Sequence, residues 1–386
     1  MSKKIICVFL GGRANYSSIR SAMRAIQEHP DLELKVILGS SALVKKYGNL
    51  EKILNNDGFT VDERVHMLVE GDEPVSMVKT AGIGMLGLAD AFARIHPDYV
   101  IVVGDRYEMM APTIAAAYMN IPVAHTMGGE VTGTIDESIR HAITKFAHIH
   151  FPANKESAER ILKLGEDECR VFNVGCPRID TVKEILEANP TVPDEIYNVC
   201  GGVGPEFDLH QPFLLVSQHP VTTEYQEAGN QMTETIQAAI EVGLPTIVLW
   251  PNSDAGTEGL SQAIRIFREK HPDALLHAFI NLPVHIYVRL MNNTACLVGN
   301  SSSGIREGAF IGTPCVNVGT RQEGRERGSN VIDTPCDRKA IAEAIRKQIA
   351  HGKYASEPIY GNGTAGKKIA DILATTEVEI QKRITY

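Results

Sequence analysis

The chain has 386 residues, long for one domain and comfortable for two. With 44% hydrophobic and 22% charged residues it has the balance of a globular protein with a real core. A net charge of -9 and the lack of any Lys/Arg-rich stripe argue against nucleic acid or an acidic membrane surface as a partner.

The opening MSKKIICVFLGG sets two lysines before an apolar run, but the run is short and no small-residue cleavage site follows. It reads as a first buried strand. No stretch approaches the roughly eighteen uninterrupted apolar residues of a membrane span. The seven cysteines are odd in number and scattered without a CxxC. They point to reduced core thiols in a cytoplasmic protein and to no structural zinc.

Strands are predicted at Ile5–Leu10, Leu34–Leu38, Tyr99–Val103, Pro122–His125 and Val171–Val174, with helices at Ser17–Glu28, Val75–Ile95, Met109–Tyr118 and Asp136–Ala147. Strands apolar on both faces, each followed by a helix, imply a parallel sheet covered on both sides. The Pro- and Gly-rich stretch from Asn189 to Gln211 breaks the pattern and reads as a connection. Alternation resumes with strands at Phe213–Ser217, Thr246–Trp250, Ala274–Ile280, Cys296–Val298 and Cys315–Val318. Helices are expected at Met232–Val242, Gly259–Glu269, Val284–Met291 and Arg338–Ala350, and a last one at Lys367–Lys382 crosses back to the first lobe. The expected fold class is α/β: two doubly wound, Rossmann-like lobes facing a central cleft, with lobes at residues 1–185 and 186–365 and the returning helix at 366–386.

Polar groups gather in the loops after these strands, where open α/β sheets bind ligands. Gly11-Gly12-Arg13 opens the first helix, and an arginine there can pair a phosphate, although an ordinary βα turn has the same look. The absence of GxGxxG argues against NAD. Gly104-Asp105-Arg106-Tyr107-Glu108 puts three charges at one strand end, which suits either an acid/base group beside a phosphate-binding arginine or a helix cap. His125 to His141 brings Glu130, Asp136, Glu137 and Arg140 close together; Asp136/Arg140 and Glu137/His141 each lie four apart on one helix face. His148-x-His150 has strand spacing but no third metal ligand nearby. In the second half, Gln218-His219 and Asn252-Ser253-Asp254 follow strands. Gly299-Asn300-Ser301-Ser302-Ser303-Gly304-Ile305-Arg306-Glu307 runs from a strand into a helix whose amides can hold a diphosphate. Glu307 can take a ribose diol there, and Arg321 adds a cation.

These runs closely resemble the hydrolysing UDP-N-acetylglucosamine 2-epimerases of sialic and legionaminic acid synthesis. The resemblance rests on Gly104-Asp105-Arg106, the Gly128–Lys145 run, Gln218–Thr223, Asn252-x-Asp254, Gly299–Glu307 and Gly319–Gln322, and spans Arg13 to about Gly363. It implies a GT-B fold and a reaction on UDP-N-acetylglucosamine or a modified 2-acetamido UDP-sugar. Anti elimination gives UDP and a 2-acetamidoglucal, and water then adds with inversion at C2 to give free N-acetylmannosamine or its analogue. No metal or redox cofactor is implied, and a homodimer or higher homo-oligomer through first-lobe helices is expected. Asp105 and Asp136 match acid/base carboxylates of the family. Arg13, Arg106, His219, Ser301, Ser302, Glu307 and Arg321 match its UDP-binding set, with Asn252, Asp254 and Gly304 in the same motifs.

Four positions depart from the family pattern. Thr126-Met127 stands for Ile-Glu, Val103 for a histidine, Asn15 for an aspartate and Ser41 for a histidine. Each removes an ionisable group from the expected sugar side, and methionine cannot move a proton. Glu130 or Glu137 is left to take over the missing carboxylate's task. Altered sugar specificity, plain hydrolysis of the sugar nucleotide and a non-catalytic nucleotide-sugar sensor are the alternatives on the same scaffold.

Overall fold

The computed structural model describes residues 3–45, 49–70, 74–132, 135–251, 256–280 and 282–385. The chain forms two compact units, one of Met1–Glu130, Ile135–Thr181 and Tyr360–Tyr386, the other of Val131–Thr134 and Val182–Ile359.

Unit 1 runs β1 (Lys4–Leu10), α1 (Arg13–Glu28), β2 (Leu32–Gly39), α2 (Leu50–Asn56), β3 (Glu63–Val65), α3 (Pro74–Ile95) and β4 (Tyr99–Val103). It continues through α4 (Met110–Tyr118), β5 (Val123–Thr126), α5 (Asp136–Phe146), β6 (Ile149–Phe151), α6 (Lys155–Lys163) and the start of α7 (Pro177–Ala188). Its six strands lie in the order β3-β2-β1-β4-β5-β6, and every pairing is parallel. In the central strands every residue from Ile6 to Leu10 and from Tyr99 to Val103 is buried, because helices cover both faces. On α1, Ile19, Met23 and Ile26 recur at helical spacing and are fully buried, worth about 1.5–3 kcal/mol each against exposure.

Unit 2 runs α8 (Ile196–Cys200), β7 (Leu214–Ser217), α9 (Ala228–Val242), β8 (Thr246–Leu249), α10 (Thr257–Lys270), β9 (Leu276–Phe279) and α11 (Val284–Asn293). Then come β10 (Cys296–Gly299), α12 (Ser302–Ile311), β11 (Cys315–Val318), β12 (Val331–Thr334) and α13 (Arg338–His351). The sheet order is β12-β11-β10-β7-β8-β9, again all parallel. Counted from its own first strand, this is the order of unit 1. In each unit the strand order reverses between the first and fourth strands, at β1/β4 and β7/β10. That switch point is where a doubly wound sheet opens a crevice for a ligand.

The last helix, α14 (Ala365–Thr375), belongs to unit 1 and packs on α1. A Cβ at Gly366 would lie 2.6 Å from the backbone of Ser21, so only glycine permits this approach. Asp180 caps α14, accepting the amides of Ala365 and Gly366 at 3.0 and 2.7 Å and the Ser21 hydroxyl at 3.0 Å. Burial pushes its carboxyl up.

Three expectations need correction. Residues 171–174 form no strand beyond one bridge from Val171 to His150; the edge strand is β6, three residues that look too short and too histidine-rich to read as one. The final helix stops at Thr375 and does not reach Lys382, because Thr375-Thr376 is β-branched and the following residues run extended with their own partners. Nor are the cysteines all core: Cys169 is exposed and Cys200 and Cys336 are half-buried, although all seven are free thiols. By length and composition α3 is apolar enough to cross a membrane, with mean hydropathy 1.2 over Val75–Ile95. Its Leu88, Ala91 and Phe92 are buried in the unit 1 core.

Candidate active site

In unit 1 the loops after β1, β4 and β5 carry the candidate residues. Arg13 is the first residue of α1, and burial pulls its guanidinium below its usual range. Beneath it Gly11 lies against Glu108, where a Cβ would come within 2.8 Å of the glutamate side chain. Glu108 is buried and accepts from Arg106 Nε at 2.8 Å, so Arg106 is held from behind by a carboxylate. Asn15 donates to the Val103 carbonyl at 3.3 Å, tying the start of α1 to the end of β4 across the switch point.

The loop after β5 is built around two arginines and a histidine. Met127 adopts φ 60, a left-handed conformation that costs a non-glycine residue about 1 kcal/mol. Gly129 follows at φ 75, and a Cβ there would overlap the Ser157 carbonyl oxygen of α6. Arg160 donates to the Gly129 carbonyl at 3.0 Å and Arg140 to the Glu130 carbonyl at 2.7 Å. His125, fully buried, lies with Nε2 2.8 Å from the Gly104 carbonyl and Nδ1 3.3 Å from the Thr144 hydroxyl. Burial pushes its imidazole down to about 3, so it is a neutral brace joining the loops after β4 and β5 to α5.

Arg140 is the centre of this arrangement. It is 1% exposed, and its guanidinium meets Asp105, Glu137 (3.4 Å) and the Glu130 carbonyl. One buried cation thereby gathers three of the four predicted catalytic residues. Such a pair is costly to break from one side, about 3–5 kcal/mol where both charges are fully buried. Here Asp105 keeps 23% exposure, so its side of the pair is partly solvated. The predicted Glu137–His141 pair is present at 2.9 Å. The expectation that Arg140 serves Asp136 missed its contacts with Asp105 and Glu137, which reach it from a neighbouring loop and from one turn back on α5. Asp136 is the first residue of α5, with Glu137 next to it, where the helix dipole favours anions.

In unit 2 the loops after β7 and β10 meet at the switch point. Asn300 accepts from the His219 amide at 2.7 Å and donates to the His219 carbonyl at 2.8 Å. Arg321 and Gln322 both donate to the Asn300 carbonyl, at 3.2 and 2.8 Å. His219, Ser301, Ser302 and Arg321 are thereby brought to one place. Gly299 sits at φ 130, where a Cβ would overlap the Ser217 carbonyl oxygen. Ser301 caps α12, and its hydroxyl lies 2.8 Å from that of Ser303, which also meets Tyr287. Glu307 is buried in the second turn of α12. Gly304 is accounted for by packing, since a Cβ would overlap the Cys315 sulfur. Asn252 and Asp254 lie outside the described residues.

The two histidines singled out around β6, His148 before it and His150 within it, have partners of their own. His148 accepts from the Val123 amide at 3.2 Å and lies 3.0 Å from the Ile380 carbonyl; His150 meets Glu166 at 3.0 Å. Among the described residues no three His, Cys, Asp or Glu side chains are grouped as metal ligands.

A sequence profile described as UDP-N-acetylglucosamine 2-epimerase matches residues 24–374. The chain is 34% identical to the hydrolysing UDP-N,N'-diacetylbacillosamine 2-epimerase of Legionella pneumophila, over 99% of this chain and 98% of that one. It is 30% identical to the UDP-N-acetylglucosamine 2-epimerase of Neisseria meningitidis, over 99% and 98%. The crystal structure of the Neisseria meningitidis UDP-GlcNAc 2-epimerase bound to UDP-GlcNAc superposes with a TM-score of 0.80, covering 97% of this chain and all of that one at 17% identity. Two parallel sheets of this order, matched along their whole length, define a two-lobed α/β protein of GT-B type. The chain belongs to the hydrolysing UDP-N-acetylglucosamine 2-epimerase family, within the class of UDP-sugar 2-epimerases.

Proposed function

We propose that the protein is a hydrolysing 2-epimerase that converts a UDP-linked 2-acetamido sugar to UDP and the free sugar inverted at C2. The observation that carries this reading is the Arg140 cluster, which gathers Asp105, Glu137 and the Glu130 loop at the first end of α5. Unit 1 takes the sugar and unit 2 the UDP. A carboxylate of the Asp105/Asp136/Glu137 group removes the C2 proton as the C1–O bond breaks, and the electron pair of that C–O bond leaves with UDP. Arg13, Arg106, His219, the amides at the start of α12 and Arg321 are the groups we assign to the UDP and its departing diphosphate. Water then adds at C1 of the glycal as a second carboxylic acid gives its proton to C2 on the opposite face; the proton lost by the water restores that acid, and the first carboxylate releases its proton to solvent.

Proton NMR in heavy water tests this directly. With UDP-N-acetylglucosamine, release of UDP and of C2-deuterated N-acetylmannosamine is expected. Asp105→Asn and Asp136→Asn should each lower turnover at least about 100-fold while UDP still binds by calorimetry. Undeuterated N-acetylglucosamine would mean plain hydrolysis, and UDP binding without any product a sensor.

A second reading has a specific observation behind it. Met127 is buried with its sulfur 3.7 Å from that of Cys176, so the place of the family's glutamate is apolar. That wall suits the methyl of a 6-deoxy-2,4-diacetamido sugar, the kind of substrate named for the Legionella relative. Faster turnover of that UDP-sugar than of UDP-N-acetylglucosamine in the same assay would establish it.

We further propose a homodimer through α3. Val75, Val78, Ile83 and Leu86 expose an apolar row along this helix, and Tyr118 of the adjacent α4 is 82% exposed. A second copy of the chain is its occupant.

A further inference from the structure

After α14 the chain does not trail away. Thr376 gives its carbonyl to Tyr99 at 2.7 Å and to Lys4 at 3.1 Å, and Glu377 gives its carbonyl to Arg170 at 2.5 Å. Ile380 accepts from His148 at 3.0 Å, and Thr385 donates to the Gly165 carbonyl at 3.3 Å. Between them Lys382 reaches the C-terminal end of α5. Its ammonium meets the carbonyls of Thr144 (3.4 Å), Lys145 (2.9 Å) and Ala147, together with Glu166 at 2.6 Å. These carbonyls lie in the last turn and C-cap of α5, at the negative end of its dipole, and Thr144 also accepts from the Ala147 amide at 3.2 Å. Glu166 is 4% exposed and also accepts from Lys145 at 2.6 Å and His150 at 3.0 Å.

We infer that Lys382 is a positioning residue, and that the tail it belongs to is a strap holding α5 in the register that sets Arg140 against Asp105. Arg140 lies one turn before Thr144 on the same helix, and Thr144 itself braces His125. A helix is stiff over so short a span, so a cation fixing its last carbonyls also fixes the depth of its first turns. Lys382 reaches this end from far along the chain: it and Thr144 are 238 residues apart. The activity half of this inference rests on the epimerase reading; the structural half does not.

The test is Lys382→Met and Lys382→Arg in the full chain, read by steady-state kinetics and by amide hydrogen exchange of the α5 peptide. K382M is expected to lower kcat tenfold or more with KM within twofold of wild type. It should also speed exchange within α5, while K382R recovers most of the kcat. Glu166→Gln, which keeps the ammonium on the carbonyls, should show a smaller fall with the same split, and serves if K382M is not recovered folded. A K382M kcat within twofold of wild type, or K382R as slow as K382M, overturns the inference. If wild type releases no epimerised sugar, the epimerase reading fails by itself. The strap is then decided by exchange, and unchanged protection of α5 in K382M overturns it.

Discussion

Arg140 and His125 show how buried single residues set local geometry and the pH range over which the fold is stable. His125 is held at about 3 against an ordinary 6.5, chiefly by burial, and burial also pulls His148 and His150 down. The unfolded chain therefore takes up protons near pH 6.5 that the folded chain refuses. Stability is fully present above about pH 6.5 and falls as pH drops toward about 3. Urea unfolding at about pH 5 should give a stability on the order of 2 kcal/mol below that at about pH 7 from His125 alone. His125→Gln should flatten this dependence; an unchanged slope would mean that His125 is not a neutral brace. Below about pH 4.5 a further loss sets in. Burial would raise the Glu166 carboxyl, but hydrogen bonds from His150, Lys145 and Lys382 outweigh it and hold it at about 2. The sequence displayed Arg140 and His125 plainly but not their roles. Helical spacing pointed Arg140 at Asp136, and its contact with Asp105, in the loop after β4 and 35 residues away in sequence, is one that no periodicity reveals.

At the scale of elements, the loop between β5 and α5 is the part whose local sequence is most tightly constrained. Gly129 is positioned by a positive φ and by the backbone of α6, so Gly129→Ala must shift one or the other. We expect it to cost more than the roughly 1 kcal/mol of the left-handed conformation alone. Differential scanning calorimetry should show a clear fall in Tm, with activity falling further because the Glu130 carbonyl moves off Arg140. A Tm equal to wild type would mean that the loop has another conformation. Buried central strands were readable from the sequence: β4 and β11 match residue for residue, because β4 is wholly apolar, β11 is apolar but for Asn317, and each is closed by a turn. β3, β6 and β12 were not, since short edge strands carry charges and histidines that erase alternation. The extended tail read as a continuation of the amphipathic α14, while its actual partners are side chains and carbonyls from distant parts of unit 1.

For the whole molecule, the proposed dimer gives a direct prediction. Val78→Glu with Leu86→Glu should shift the mass in light scattering from twice the 42.2 kDa chain to one chain, leaving each unit folded. A wild-type protein already at one chain mass would remove α3 as a self-association surface. Unit 1 differs from unit 2 in one more respect. Unit 2 is complete once Val182–Ile359 joins the earlier Val131–Thr134, whereas unit 1 needs Tyr360–Tyr386 to complete it. During synthesis the later half can therefore finish folding as soon as it emerges, while the earlier half waits with α1 uncovered until α14 and the tail arrive. The proposed catalytic lobe is the first begun and the last closed, so a ribosome that stalls within the final segment leaves unit 2 assembled and unit 1 unfinished.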